Sequence, residues 1–162
     1  MDQLFAPAGL EWRPVSMRLA TRMRVLWTAF VGVLTAVLAV AALLLAQTWV
    51  AWSVLAGGVV LLVLGWFVAV RRTRAWGYAE RDEDLYIKHG LLVRKLVAVP
   101  YGRMQFVDVT AGPLERALGL AQVELHTATP GTRARIPGLS PEEAARLRDR
   151  LTALGQAQAA GL

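Results

Sequence analysis

The chain has 162 residues, 56% of them hydrophobic, a mean hydropathy of +0.42, a formal net charge of +6 and no cysteine. From Val25 to Val70, 46 consecutive residues carry no Asp, Glu, Lys, Arg or His, a run no water-soluble core leaves unpunctuated, so a purely soluble protein is excluded. Residues 1–74 hold a net +5 and residues 75–162 only +1, so the basic character flanks the apolar run, which argues against a nucleic-acid-binding face; the missing cysteines exclude a disulfide framework and a thiolate metal site.

The first 24 residues read as a cytoplasmic N-terminal segment. A bilayer core ~30 Å thick takes about 20 helical residues, so the uncharged run accommodates two transmembrane helices, at about 25–46 and 49–70, broken near Gln47-Thr48. Trp27 and Trp66 then fall at one interface and Trp49 and Trp52 at the other, where indole rings prefer to sit. Arg18, Arg22 and Arg24 precede the first span, and Arg71, Arg72 and Arg74 follow the second within a basic linker, 71–75. The positive-inside bias predicts a multi-pass protein of the cytoplasmic (inner) membrane with both termini in the cytoplasm. A cleaved leader before a single anchor is the competing reading, with Ala39-Val40-Ala41 as its cleavage pattern, but the first apolar segment is longer than a leader core. The spans contain no ionisable residue, only Thr28, Thr35 and Ser53 as polar side chains besides the turn, which disfavours a transporter or channel. Gly32 with Ala36, and Gly57, Gly58 and Gly65, offer small surfaces for helix packing.

After Trp76 the period changes to two. Leu85 and Ile87 alternate with Tyr86 and Lys88, His89-Gly90 offers a turn, and Leu91–Pro100 reads as the next strand. The apolar parity flips between Phe106 and Val107, predicting a bulge. Val123 and Leu125 alternate with Glu124 and His126, Thr129-Pro130-Gly131-Thr132 suits a type II turn, and Ala134 and Ile136 alternate with arginines. Six or seven short strands predict an antiparallel sheet or partly open barrel. Gly112–Gly119 reads as one helical turn. Ser140-Pro141-Glu142-Glu143 is a capping-box start, and Ala144, Leu147, Leu151 and Leu154 share one face of the helix that follows. Residues 155–162 read as a flexible tail.

The order GLL-x-R (Gly90–Arg94), Pro100, R-x-Q-x-V-x-V (Arg103–Val109), G-P-L-E-R-x-L-G-L-A (Gly112–Ala121), V-x-L-H-T-A (Val123–Ala128) and I-P-G-L (Ile136–Leu139), then an A-x-x-L-R-x-x-L helix containing Arg148 and Leu151, resembles the bacterial pleckstrin-homology (PH) domain of YdbS-like membrane proteins. The resemblance covers about residues 76–154, and the preceding hairpin fits the family's layout. It implies an α+β membrane protein, in which a two-helix transmembrane hairpin precedes a small PH-like antiparallel sheet or barrel with a C-terminal helix. It also implies, as a partner, a larger membrane protein carrying several such domains.

His89 and His126 are the two imidazoles, and no nucleophile–base pair, P-loop or G-x-G-x-x-G accompanies them, so no catalytic residue, cofactor or metal site is expected. Glu80, Asp82, Glu83 and Asp84 lack the ligand order of a calcium loop and read as a solvated face. The leading expectation is a membrane-anchored module that docks a protein partner through an open strand edge, with Gly119–Val123 and Phe106–Val109 as candidate edges. The alternative is a lipid-headgroup or membrane-state sensor using Lys88, Arg94 and Lys95 around the 88–95 turn, with Arg71, Arg72 and Arg74 touching anionic lipid.

Overall fold

The computed structural model describes residues 11–127 and 133–159. They form two compact units: a helical hairpin, Ala20–Arg71, and a sheet unit that combines the segment ending at Leu19 with the chain from Arg72 onward.

In the hairpin, α1 (Arg18–Leu44) and α2 (Thr48–Arg74) each have 27 residues, about 40 Å at the helical rise. Both run past the expected spans into the arginine-rich flanks, because absence of charge marks what a hydrocarbon layer tolerates and arginine is a good helix former. Leu45–Gln47 reverses the chain. Gln47 N–H donates to Ala42 O at 3.0 Å while Ala46 takes a φ of 56°, a left-handed helix end built without glycine. Few of the apolar side chains are covered by protein: Leu44 is 82% exposed and Phe67 68%. Water would penalise that surface and lipid does not.

The two helices meet through small residues and indoles. Trp27 Nε1 donates to Leu61 O at 2.9 Å, and Trp66 Nε1 donates to Thr28 Oγ1 at 3.0 Å. Gly58 faces Thr35 and Gly65 faces the Trp27 indole so closely that a Cβ at either position would collide. Gly32 and Gly57 face open space, so only two of the four candidate glycines serve the crossing.

The sheet unit has seven strands among its described residues: β1 (Arg13–Pro14), β2 (Gly77–Glu80), β3 (Asp84–His89), β4 (Lys95–Pro100), β5 (Met104–Thr110), β6 (Ala121–Thr127) and β7 (Arg133–Leu139). They form two antiparallel sheets, β1-β2-β3-β4 and β5-β6-β7, joined by a 3-10 turn at Tyr101–Arg103. The period-two residues Leu85, Ile87, Val123, Leu125 and Ile136 are buried, as are Ala144, Leu147 and Leu151 of α4 (Pro141–Ala159), which lies against β5, β6 and the 3-10 turn. Between β5 and β6, the short helix α3 (Pro113–Ala117) is closed by Glu115, whose carboxylate accepts from Gly112 N–H at 2.7 Å.

Four details differ from the sequence reading. The register shift in β5 falls between Met104 and Phe106, one step before the parity flip, because Gln105 is the inserted residue. The strand after Gly90 starts at Lys95, not Leu91; residues 91–93 form the turn itself. Helix α4 continues through residues 155–159, beyond Leu154, with Gly155 close to Tyr101 O and Gly102 close to Gln158. The turn at Thr129–Thr132 lies outside the described residues.

The fourth difference is β1, which no pattern announces. Arg13 and Pro14 pair with Tyr78 and Gly77, Ser16 N–H donates to Gly138 O at 2.9 Å, and Val15 and Leu19 are buried. Gly138 has a φ of +75° and lies against the Leu19 side chain, so the I-P-G-L glycine is the seat on which this segment packs.

Candidate interaction surfaces

The densest polar cluster joins β1, β2 and α4. Glu80, whose side chain is only 7% exposed, accepts from Arg146 Nη2 at 2.7 Å, and Arg150 Nε lies 3.2 Å from its other oxygen. Glu143 accepts from Tyr78 Oη at 2.6 Å, from Arg146 Nη2 at 2.8 Å and from Arg13 Nη1 at 3.2 Å. Arg146 and Tyr78 hold the Glu143 carboxyl down at about 2, and burial with the Glu143 hydrogen bond pushes Tyr78 up to about 12. Glu80 is thus not part of a solvated acidic face; arginines, not a cation from solution, neutralise it. The members of this cluster pair with one another across three segments, which is a bracing role. Among the described residues no three His, Asp or Glu side chains gather as a metal site requires.

Each histidine lies against an aromatic ring. His126 stacks on Phe106 at 4.1 Å with its Nε2 3.5 Å from Asp108 Oδ2. His89 stacks on Trp76 at 4.7 Å, and burial, then the charges of Lys95 and Arg135, lower its pKa.

Of the two expected edges, the structure supplies one. Residues 121–123 belong to β6, which is paired on both sides, so the Gly119–Val123 stretch has no free strand edge. Phe106–Val109 lies in β5, an outer strand of its sheet, exposed or half-exposed along its whole length. Phe106 is 51% exposed and Val109 38%.

The expected cations separate. The Lys88 ammonium sits 4.1 Å over the Trp12 ring and burial lowers its pKa, so it is engaged by the β1 segment. Arg94 and Lys95 are exposed at the β3–β4 turn, and Lys95 shares the neighbourhood of His89 with Arg135, which sequence reasoning missed. Arg71, Arg72 and Arg74 are exposed in the last turn of α2. The turn itself is apolar: Leu91 is 39% exposed, Leu92 96% and Val93 69%. Their exposure was hidden from periodicity because three apolar residues in a row fit a buried strand equally well.

A family profile described as the bacterial PH domain matches residues 24–154, hairpin included. The chain is also 37% identical, over 124 residues, to the UPF0699 transmembrane protein YdbS of Bacillus subtilis (strain 168), covering 74% of this chain and 77% of that protein. No solved structure matches.

Proposed function

As the chain belongs to the bacterial PH-domain family, we propose that it is a membrane-anchored interaction module whose sheet unit docks an extended segment of another membrane protein, a second PH-domain protein being the first candidate, at the cytoplasmic face. The observation that carries this reading is β5. An outer strand with unpaired backbone groups along one side is a template for an added strand, and Phe106 and Val109 project apolar surface on opposite faces of it. Natural sheets usually protect such an edge with lysine or proline; β5 has neither.

Two observations support cytoplasmic termini. Arginines flank both helices on their outer ends. The pairing of Arg13 with Tyr78 keeps the two segments that flank the hairpin together, and so on one side of any bilayer it crosses. The alternative headgroup clamp on Lys88, Arg94 and Lys95 loses Lys88 to Trp12.

Site-specific photo-crosslinking in native membranes tests the docking reading. A photoreactive residue at Val109 is expected to give a discrete adduct with a membrane protein, which Phe106→Asp abolishes, whereas the same residue at exposed Thr152 on α4 gives none. Equal background labelling at both positions would discard the β5 interface.

A further inference from the structure

We propose that the β3–β4 turn is a lipid-surface contact, with Leu91, Leu92 and Val93 entering the headgroup–acyl boundary of an anionic leaflet while Arg94, Lys95 and Arg135 meet its phosphates. The inference rests on α1 and α2 crossing a bilayer and is independent of the docking role of β5.

Three observations carry it. The first is exposure: Leu92 is 96% exposed and Val93 69%, the most exposed large apolar side chains among the described residues of the sheet unit, and they stand side by side on a turn where no strand pairing requires them. Residues with this exposure in water are tolerated singly; adjacent ones mark a surface that is covered in use.

The second is charge. From Leu85 to Val107 the sequence contains no Asp or Glu but has Lys88, Arg94, Lys95 and Arg103. Lys95 pairs with His89 across β3 and β4, and the charges of Lys95 and of Arg135 on β7 both reach His89, adding to the burial that lowers its pKa. An apolar tip ringed by cations is the composition that binds an anionic interface, where burial of the tip and attraction of the ring act together.

The third is placement. Gly77 pairs with Lys88 and with Pro14, so the turn after His89 lies at the end of the sheet that holds Gly77 and Pro14. In the chain, Gly77 comes three residues after Arg74 and Pro14 four residues before Arg18. Trp76, stacked on His89 at this end, is the ring type that favours the headgroup level.

The absence of cysteine allows a clean test. Full-length Leu92→Cys carries an environment-sensitive fluorophore and is reconstituted into phosphatidylcholine vesicles with or without phosphatidylglycerol, with Thr152→Cys as the reference. The expected result in anionic vesicles is a blue-shifted emission at position 92, quenched by nitroxide-bearing lipid, with position 152 remaining aqueous. Adding Arg94→Glu and Lys95→Glu is expected to remove both the shift and the quenching. An aqueous signal at 92 in anionic vesicles overturns the proposal, and so does insertion that ignores lipid charge. Protection of 92 in native membranes but not in vesicles of pure lipid would also overturn it, by assigning the tip to a protein. Resistance of the same samples to alkaline extraction shows separately whether the helices are inserted, so failure of the tip and failure of the anchor are distinguishable.

Discussion

Glu143 shows how one side chain can be pulled away from the role its neighbours suggest. The S-x-x-E spacing predicts a capping box, and Ser140 Oγ does accept from Glu143 N–H at 3.2 Å. The carboxylate, however, accepts from Tyr78, Arg13 and Arg146, on three different segments. Its pKa lies at about 2 against an ordinary 4.5, so the stability it contributes is complete above about pH 4.5 and is lost as the pH falls towards 2. Tyr78 runs the other way: with its pKa raised from 10 to about 12, the neutral phenol contributes fully below about pH 10, and that contribution disappears between 10 and 12. Thermal melts of the detergent-solubilised chain should show both limbs, and Glu143→Gln should flatten the acid one. Glu80 carries the legibility lesson at this scale. Sequence placed it in an acidic run with Asp82, Glu83 and Asp84; its arginine partners lie on α4, 66 and more positions away, and a charge run says nothing about which member turns inward.

Elements were legible where a period governs them and opaque where pairing order does. Alternation located β3, β6 and β7 because one face of each is buried, and the capping motif located the start of α4. Alternation reports faces, not neighbours, so it could not tell that β6 is central and β5 outer. In the hairpin, composition named Gly32, Gly57, Gly58 and Gly65 alike, and only the crossing separates them. Gly65→Val would drive a side chain into the Trp27 indole and is expected to destabilise the hairpin by about 1–3 kcal/mol. Gly57→Ala meets open space and should be neutral or slightly stabilising. The denaturation midpoint in mixed detergent micelles distinguishes the two; equal midpoints would mean that the crossing does not depend on that close approach.

At the scale of the whole molecule, the charge-free run, the basic flanks and the later change of period showed a hairpin followed by a sheet domain. They did not show that the chain before the hairpin returns to that domain, because a two-residue strand has no period and Trp12, Val15 and Leu19 look like any scattered apolar residues. The helices are an insertion within the sheet unit. A fragment of residues 76–159 therefore lacks β1, the ring under Lys88 and the burial of Val15 and Leu19, each aliphatic side chain contributing roughly 1.5–3 kcal/mol. Joining residues 11–19 to residues 72–159 through a flexible linker should raise the melting temperature well above that of the shorter fragment. Identical melting curves would reduce the β1 segment to a passive leader.

The pairing of β1 with β2 also sets an order in time. Synthesis delivers Arg13 and Pro14 first, and their partners Tyr78 and Gly77 only after both helices have been made. At about 5–20 residues per second, the wait lasts on the order of several seconds, during which Trp12, Val15 and Leu19 have no sheet to cover them. The β1–β2 pairing can form only after the second helix has been made. A nascent chain arrested after α1 would keep its first strand without a partner, open to the proteases and chaperones that survey unfinished chains.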